Sequence, residues 1–597
     1  MPFSVHLQSL SLCSLTLLAS SHTSATAGPD TPTLQFVERT IEAGLQSHNA
    51  FHSAQTYTIM AGSGLAADFN NDGYDDIFHL GSMNPNSLFI NNTDGTFSNQ
   101  AQSWGVAGPF HSWAASAADF NNDGFIDIYI TAFGSADQAP THGQHLLMKN
   151  NGPDSKGQWS FTDVAVEAGV NHLLPGTTFK EGTGSGWGDY DLDGDLDLFV
   201  CGYSAIRSAN RLYRNDGPDT NGIWRFTDVT AQAGVEDMSV SGFLPSFIDL
   251  NNDRYPELVI VGDTGTTRLF VNNHDGTFIN ATSTVEDIQT ANAMGIDIAD
   301  IDNDGLLDFF ISNITFDNTG GPGNIMLMQN PDGSFENKAR QAETHDGHWG
   351  WGSLINDFDH DGDKDILETN GYLFGFAGDP VTLFLNDGDG SSFTESAEAC
   401  GIDHVSQGRG LVRLDADNDG DIDAILFNWT QQSAFYRNDL ITPKTSQNNT
   451  HWARIKLDTY ARDSLAPQGI GAMVTVSTDE ESYILPIHNN TTYAGTSPVE
   501  AHIGLADNQL IKSIQIAWPD GSYDTHTNLQ ADQIFTFRAS AFAADYNQND
   551  SVEFQDVLDF ASLLKNRNLS ADHNGDGRLN YFDIVSFIND YRIALSP

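Results

Sequence analysis

Asp357-Phe358-Asp359-His360-Asp361-Gly362-Asp363-Lys364-Asp365 sets oxygen-bearing side chains at positions 1, 3, 5 and 9 of a nine-residue stretch, with glycine at position 6. Hard cations such as calcium take about six to eight oxygens at flexible distances, and a tight loop can supply them. Positions 1, 3, 5 and 9 offer carboxylate or amide oxygens, and position 7 adds its backbone carbonyl. Glycine at position 6 lets the chain turn with positive φ at no Cβ cost. Six more copies follow the same spacing: Asp68/Asn70/Asp72/Asp76, Asp119/Asn121/Asp123/Asp127, Asp189/Asp191/Asp193/Asp197, Asp249/Asn251/Asp253/Glu257, Asp300/Asp302/Asp304/Asp308 and Asp415/Asp417/Asp419/Asp423, beside Asp357/Asp359/Asp361/Asp365 itself. Position 6 is glycine in six of them (Gly73, Gly124, Gly194, Gly305, Gly362, Gly420) and Arg254 in the copy at 249. Asp-Gly and Asn-Asp-Gly are ordinary turn formers, yet a turn alone does not require one register repeated seven times. More ligand charge generally tightens calcium binding. The copies at 189, 300, 357 and 415, with four carboxylates, are therefore expected to bind most tightly, and the copy at 249 most weakly.

Each loop lies between two strand-like runs. Small or apolar residues precede it (Ser112 to Ala118, Gly408 to Leu414), and an apolar run follows (Ile126 to Ala132, Leu196 to Cys201). A third run ends in an Asn-rich turn, as in Leu88-Phe-Ile-Asn-Asn, Leu212-Tyr-Arg-Asn-Asp, Leu269-Phe-Val-Asn-Asn and Leu383-Phe-Leu-Asn-Asp. A fourth is typified by Phe161-Thr-Asp-Val and Phe226-Thr-Asp-Val. Four strands per repeat predict a β-propeller, in which radial repetition protects strand edges. Seven loops predict seven blades. The last repeat lacks its fourth strand after Ala434-Phe-Tyr-Arg-Asn, while Leu34-Gln-Phe-Val-Glu-Arg-Thr-Ile-Glu-Ala-Gly supplies one before the first. The ring is thus expected to close with the N-terminal strand completing the seventh blade; an open array is the alternative, at the cost of bare edges.

The 597 residues carry 80 acidic and 26 basic side chains, a formal net charge of -54. A hydrophobic fraction of 39%, with 11% aromatic, still builds packed cores, so the acidity reads mainly as metal ligands. Phosphate binding needs basic clusters, so nucleic acid is not an expected partner. Leu10 to Ala19 is an apolar core followed by Ala25-Thr26-Ala27, which predicts an export signal over residues 1–27, although no Lys or Arg precedes it. That run is too short to span a membrane, and the chain is expected outside the cell, secreted or at the surface. Cys13 lies in the apolar core; Cys201 and Cys400 are too few for a disulfide framework, and their pairing is left open.

Residues 34–440, with these loops and strands, resemble the FG-GAP/VCBS repeats of integrin α-subunit propellers, and still more the proteins related to cartilage acidic protein. The resemblance implies a loop that joins the first and second strands of each blade and binds calcium on one face. Residues 450–538 read as β (Ala453 to Leu457, Ala472 to Ser477, Ser482 to Ile487, Ile511 to Trp518). Their Gly469-Ile-Gly-Ala, Ala501-His-Ile-Gly-Leu and Trp518-Pro-Asp-Gly resemble the ASPIC/UnbV domain. His502 reads as a structural strand-end residue.

Residues 543–593 change character. Asp545, Asn547, Asn549, Glu553 and Asp556 open one twelve-residue loop of EF-hand type, and Asp572, Asn574, Asp576, Asn580 and Asp583 open a second, each followed by a helical pattern. Position 12 is Asp instead of Glu, and Asp550 stands where the first loop would carry glycine. The pair resembles a dockerin, which implies a cohesin-like or cell-surface docking partner contacted near Phe554/Gln555 and Tyr581/Phe582. The expected fold class is therefore mainly β: a seven-bladed propeller, a small β domain and a small α-helical calcium-binding module.

No nucleophile elbow, phosphate loop or proton-shuttling pair stands clear of the metal loops, so no catalytic residue is named. His345-Asp-Gly-His348-Trp349-Gly-Trp351 reads as packing and loop structure. Two functional classes follow: a calcium-held, non-catalytic binding or adhesion protein that recognises an extracellular glycan or protein, and a propeller enzyme or accessory subunit in polysaccharide degradation. The ligand face is expected opposite the metal loops, among Phe133 to His145, Phe316 to Gly323, Tyr372 to Asp379 and Trp113, Trp187, Trp349 and Trp351, with packing of these tryptophans between blades as the competing reading.

Overall fold

The computed structural model describes residues 34–540, apart from 50–59, 109–111, 136–144, 172–178, 204–209, 290–291, 316–321, 374–375, 377, 430, 441–449 and 490–491, together with parts of 546–591, chiefly 554–565 and 584–588. The export-signal reading lies outside these residues.

Among the described residues of the first domain the chain builds seven antiparallel sheets, each carrying one loop between its first and second strands, an arrangement consistent with a propeller. The first sheet orders Gly64–Ala67, Asp76–His79, Ser87–Asn91 and Phe97–Asn99. The second starts at Ser112–Ala118 and carries an extra strand, Phe179–Glu181, on the far end of Asp127–Ser135. The third to sixth start at Gly184–Gly188, Gly242–Ile248, Ile296–Ala299 and Gly350–Asn356. The seventh orders Gly408–Leu414, Asp423–Asn428 and Ala434–Asn438, and its fourth strand is Phe36–Glu38, in register Phe36↔Asn438, Val37↔Arg437, Glu38↔Tyr436. The first strands Ser112–Ala118, Gly184–Gly188 and Gly350–Asn356 are buried along their length and carry Gly, Ala and Ser, which lets them crowd together where the sheets converge.

The second domain packs a three-stranded sheet (Ala501–Gly504, Trp452–Asp458, Gln533–Arg538) on a four-stranded one (Ser482–Pro486, Met473–Ser477, Leu510–Ala517, Tyr523–Gln530). Ile455, Val474, Ile503, Ile514 and Trp518 fill the space between them. Four predicted strands are present. Ala501–Gly504, Tyr523–Gln530 and Gln533–Arg538 complete the sheets.

From this domain Asn489 and residues 492–497 enter the axis where the seven first strands meet. Asn489 bridges to Trp187 and donates to the Ala117 carbonyl at 2.6 Å. Ala66 N–H donates to Thr496 O at 3.1 Å, and Ala115 N–H to Ala494 O at 3.1 Å. The Thr492 hydroxyl donates to Leu411 O. The Tyr493 ring packs between Phe243 and Trp351, with centroids 5.7 and 5.2 Å away, and its hydroxyl donates to Met60 O at 2.9 Å. A Cβ at Gly295 would stand 2.5 Å from Thr492 O, and one at Gly495 1.9 Å from Gly64 O, so neither position admits a side chain. One segment thus reaches the first strand of every sheet, or the residue beside it.

The helix Phe554–Lys565 lies in the C-terminal segment, with Phe560 stacked on Phe587 at 4.2 Å. Cys201 and Cys400 are both free and buried.

Candidate metal centres

Each loop is wound so that position 1 closes it. In all seven, the N–H of position 6 donates to the outer oxygen of the position 1 carboxylate at 2.7–3.0 Å. Two positive φ values make this possible: position 6 lies at 79–101°, and position 4, as in Asn71, Leu192 or His360, at 52–62°. The second was not visible in the spacing, since Asn, Leu and His share it. Arg254 holds φ 79°, a conformation that a residue with a Cβ adopts under strain.

Position 9 is bound into the sheet more firmly than positions 1, 3 and 5. One of its oxygens accepts the N–H of position 2 in every loop, at 2.9–3.3 Å. In the six loops with Asp at position 9, the other oxygen accepts a backbone N–H of the third strand. It therefore fixes loop to sheet with both oxygens.

In three loops positions 1, 3 and 5 converge. Carboxylate oxygens of Asp300/Asp302/Asp304, Asp357/Asp359/Asp361 and Asp415/Asp417/Asp419 lie within 4.8 Å of one another. The loop at 189 is arranged differently. Its converging trio is Asp189/Asp191/Asp197, with position 9 as the third member, and Asp193 is not part of it. The Asp193 side chain is exposed and accepts the Asp195 N–H through Oδ1 at 3.0 Å, as Asp304, Asp361 and Asp419 accept the N–H of their own position 7. Buried oxygens of the loops at 189, 300 and 357, namely Asp191 Oδ1, Asp300 Oδ1, Asp357 Oδ1 and Asp359 Oδ1, accept no hydrogen bond. Unpaired buried acceptors are costly, and their crowding suits a hard cation, so the residues fit calcium chemistry. Burial, reinforced by neighbouring like charges, pushes Asp300 and Asp357 up to about 7 and Asp359 up to about 8.

The loops at 68, 119 and 249 bring no such trio together among the described residues. Their position 3 amide instead donates to a loop carboxylate: Asn70 to Asp72 at 2.8 Å, Asn121 to Asp123 at 3.1 Å and Asn251 to Glu257 at 3.1 Å. Basic side chains also reach position 5, Lys149 to Asp123 at 2.7 Å and His274 to Asp253 at 2.8 Å. In the C-terminal segment only Asp556 of the ten proposed ligands is described, and it is buried.

The second domain sits on this face. A Cβ at Gly420 would meet Trp452 at 1.9 Å, at Gly194 the Asp463 carbonyl at 2.2 Å, and at Gly362 the Tyr483 hydroxyl at 2.8 Å. Position 6 glycine thus serves docking as well as turning. Arg254 instead lines a crevice between the two domains, beside Asp249, Ile470 and Pro519.

A set of residues that the sequence reading took for turn formers holds the sheets together. Asn91, Asn150, Asn215, Asn272, Gln329, Asn386 and Asn438 lie in the third strands, all but Asn150 and Asn215 as the last residue, and each side-chain amide donates, at 2.8–3.2 Å, to the position 2 carbonyl of the preceding sheet's loop. The first sheet bonds back to the seventh through Asn91 and Ala416 O. Their fixed place two residues before each turn was the available signal.

Trp113, Trp187 and Trp351 are buried first-strand residues, not loop residues, and Trp187 stands at the end of its strand next to the loop at 189. Trp349 stacks on Tyr372 at 4.0 Å and 14°, both half-buried. His502 is buried in its strand with Nε2 3.1 Å from Gly420 O.

The family described as FG-GAP-like repeat matches residues 68–130, 189–260 and 249–311, and the family described as ASPIC and UnbV matches 463–543. The chain thus carries both repeat and domain. It is 25% identical over 442 residues to cartilage acidic protein 1 of Homo sapiens, covering 68% of this chain and 60% of that one. It is 25% identical over 324 residues to the Mus musculus protein, covering 51% and 48%. The chain therefore spans between about half and three-fifths of these relatives. Among solved structures, a Bacillus licheniformis rhamnogalacturonan lyase aligns at 14% identity over 63% of this chain and 71% of that one, with a TM-score of 0.35, too low to support an argument.

Proposed function

We propose that this chain is a secreted, non-catalytic binding protein: a closed seven-bladed propeller (34–440) held by calcium, capped on its metal-loop face by the ASPIC/UnbV domain (450–538), with a dockerin-like docking module (543–593). The observation that carries the calcium reading is the convergence of buried carboxylate oxygens in the loops at 300 and 357, including Asp300 Oδ1 and Asp357 Oδ1, which no donor satisfies. The cycle of seven side-chain amides supports ring closure. When bound, calcium supplies the positive charge that lets these carboxylates stay ionised and adjacent. In the loops at 300 and 357 positions 1, 3 and 5 hold it and position 9 fixes the loop; in the loop at 189 Asp189, Asp191 and Asp197 are the holding set.

With the metal-loop face covered, the ligand face is the opposite one, around Trp349 and Tyr372, where a half-exposed aromatic pair suits a sugar ring or an apolar side chain. Calorimetric titration of the chelator-treated full chain with calcium tests the first half; absence of binding heat sinks it. Glycan-array and pull-down capture with Trp349→Ala tests the second, and undiminished capture by a folded variant places the ligand elsewhere.

A further inference from the structure

One buried carboxyl of the sixth sheet has no cation beside it among the described residues. Glu368 lies in the second strand of that sheet, Asp365–Asn370, and is fully buried. Its Oε2 accepts Asn324 Nδ2 at 2.7 Å and the Thr382 hydroxyl at 3.3 Å, and its Oε1 accepts nothing. Two glycines of the loop 344–350 lie directly on this carboxyl. A Cβ at Gly350 would stand 1.8 Å from Oε1, and one at Gly347 2.1 Å from Oε2, so neither position admits a side chain. The strands on either side, Gly350–Asn356 and Thr382–Asn386, carry no titratable residue, and neither does Ile325–Gln329 of the fifth sheet. The loop itself carries His345, Asp346 and His348. Of these, exposed Asp346 acts on Glu368, with a charge of the same sign. Arg409 of the seventh sheet is engaged elsewhere, 4.0 Å over the Trp351 ring and donating to the Gly371 carbonyl at 2.9 Å.

Asn324 ties this carboxyl to the loop. Its Oδ1 accepts the Asn313 N–H at 2.9 Å, its Nδ2 also donates to the Thr344 carbonyl at 3.3 Å, and its own N–H donates to the His345 carbonyl at 2.9 Å. Further along, the Thr315 N–H donates to the His348 carbonyl at 2.7 Å, and the Gly350 N–H to the Asn313 carbonyl at 3.1 Å. Trp349, between them, bridges to Ile314, and its carbonyl accepts the Gly371 N–H at 3.2 Å, next to Tyr372. The loop that carries Trp349 to its place on the Tyr372 ring is therefore seated on the Glu368 carboxyl.

We infer that Glu368 is the positioning residue of the ligand face: as a neutral acid it seats the loop 344–350 and with it the Trp349–Tyr372 pair, and this seat loosens as pH rises. The inference rests on the placement of the ligand face around that pair. A buried carboxylate with no cation, and with one oxygen lacking a donor, is costly, whereas the neutral acid is not. Burial accordingly holds the Glu368 pKa well above the ordinary carboxylate range, and the Asp346 charge adds to it. Opening the loop lets water reach the carboxyl, which then gives up its proton. Each pH unit above the ordinary carboxylate pKa thus favours the open form by up to about tenfold, until the pKa of the seated carboxyl is reached.

Amide hydrogen exchange of the full-length chain in calcium, read by mass spectrometry as protection factors from pH 6 to pH 9, tests this. In wild type, protection across 344–350 should fall by up to about tenfold per pH unit, while the buried strand Gly242–Ile248 holds its own. Glu368→Gln, neutral at every pH, should keep the loop protected throughout. Protection that stays level in wild type overturns the inference, as does an equal fall in Glu368→Gln. If Glu368→Gln fails to fold, the wild-type profile still decides. Glycan-array capture is followed in parallel: glycans held by wild type at pH 6 should be lost at pH 9 and retained by Glu368→Gln. If Trp349→Ala abolishes capture while wild type and Glu368→Gln share one pH profile, the inference alone fails. If a folded Trp349→Ala chain captures undiminished, the placement of the ligand face fails, and Glu368 with it as a residue of that face.

Discussion

Replacing Asn150 by alanine tests the amide cycle directly. Asn150 is fully buried, and its side chain makes three hydrogen bonds: to Phe69 O of the first sheet at 3.0 Å, to Ile126 O of its own loop at 3.3 Å, and from Gly152 N–H at 3.1 Å. Alanine leaves two carbonyls and one N–H without these partners. At about 1 kcal/mol for each lost bond, the expected cost is ~3 kcal/mol, and more where a stranded group finds no water. The control is next door. Asn151 is exposed, and its amide bonds only Ser160 and Thr162 of the adjacent strand, so Asn151→Ala should stay within about 0.5 kcal/mol of wild type. Urea unfolding followed by tryptophan fluorescence measures both. If the two variants differ by less than about 0.5 kcal/mol, the amide does not join the sheets.

Other outcomes follow from the same structure. Excess chelator should lower the melting temperature of the full chain markedly, since crowded carboxylates then repel; an unchanged melt contradicts calcium dependence. Glu368 is fully buried with only Asn324 and Thr382 as donors, and burial raises its pKa well above the ordinary value. The folded state thus keeps a proton that the unfolded state releases above its ordinary carboxylate pKa, and this group's cost grows with rising pH. Glu368→Gln should therefore gain stability relative to wild type between pH 5 and pH 8, by up to about 1.4 kcal/mol per unit; an equal difference at both pH values refutes this. Tyr493→Ala removes a ring packed between Phe243 and Trp351 and should cost ~3–5 kcal/mol, with a loss below about 1 kcal/mol in urea melts counting against axial packing. Deleting residues 34–40 bares the strand Ala434–Asn438 and should cause aggregation on size-exclusion chromatography; a monodisperse, equally stable variant speaks for an open array.

The repeat was legible because loop chemistry is local. Positions 1 and 6 are fixed by one turn's geometry, and alternating small and apolar runs gave the strands. The seventh sheet's N-terminal partner was legible for the same reason, since Leu34 to Gly44 matches a pattern seen elsewhere in the chain. Which carboxylates converge was less so: Asp193 has the spacing of Asp304 and Asp361, but spacing does not say which way an exposed side chain turns. What escaped altogether depends on distant groups. Asn150 or Asn438 looks like any turn residue until a carbonyl from another sheet stands opposite. The axial segment has no periodicity of its own: Tyr493, Ala494 and Thr496 take their meaning from seven strands made earlier. Trp187 and Trp351 were placed on the ligand face, yet both are buried in first strands whose glycines lie against the neighbouring sheet.

The placement of Phe36–Glu38 has a consequence for how the molecule is made. This strand leaves the ribosome first, but its partner Ala434–Asn438 is synthesised about 400 residues later. Throughout that interval the growing stack has two bare ends, and neither can be satisfied locally. The axial segment arrives later still, at 492–497, and enters a space that the sheets already surround. The slowest steps of assembly are therefore the most non-local ones, where loop closure is entropically dearest, and nascent chains stalled before residue 438 present an open edge to one another.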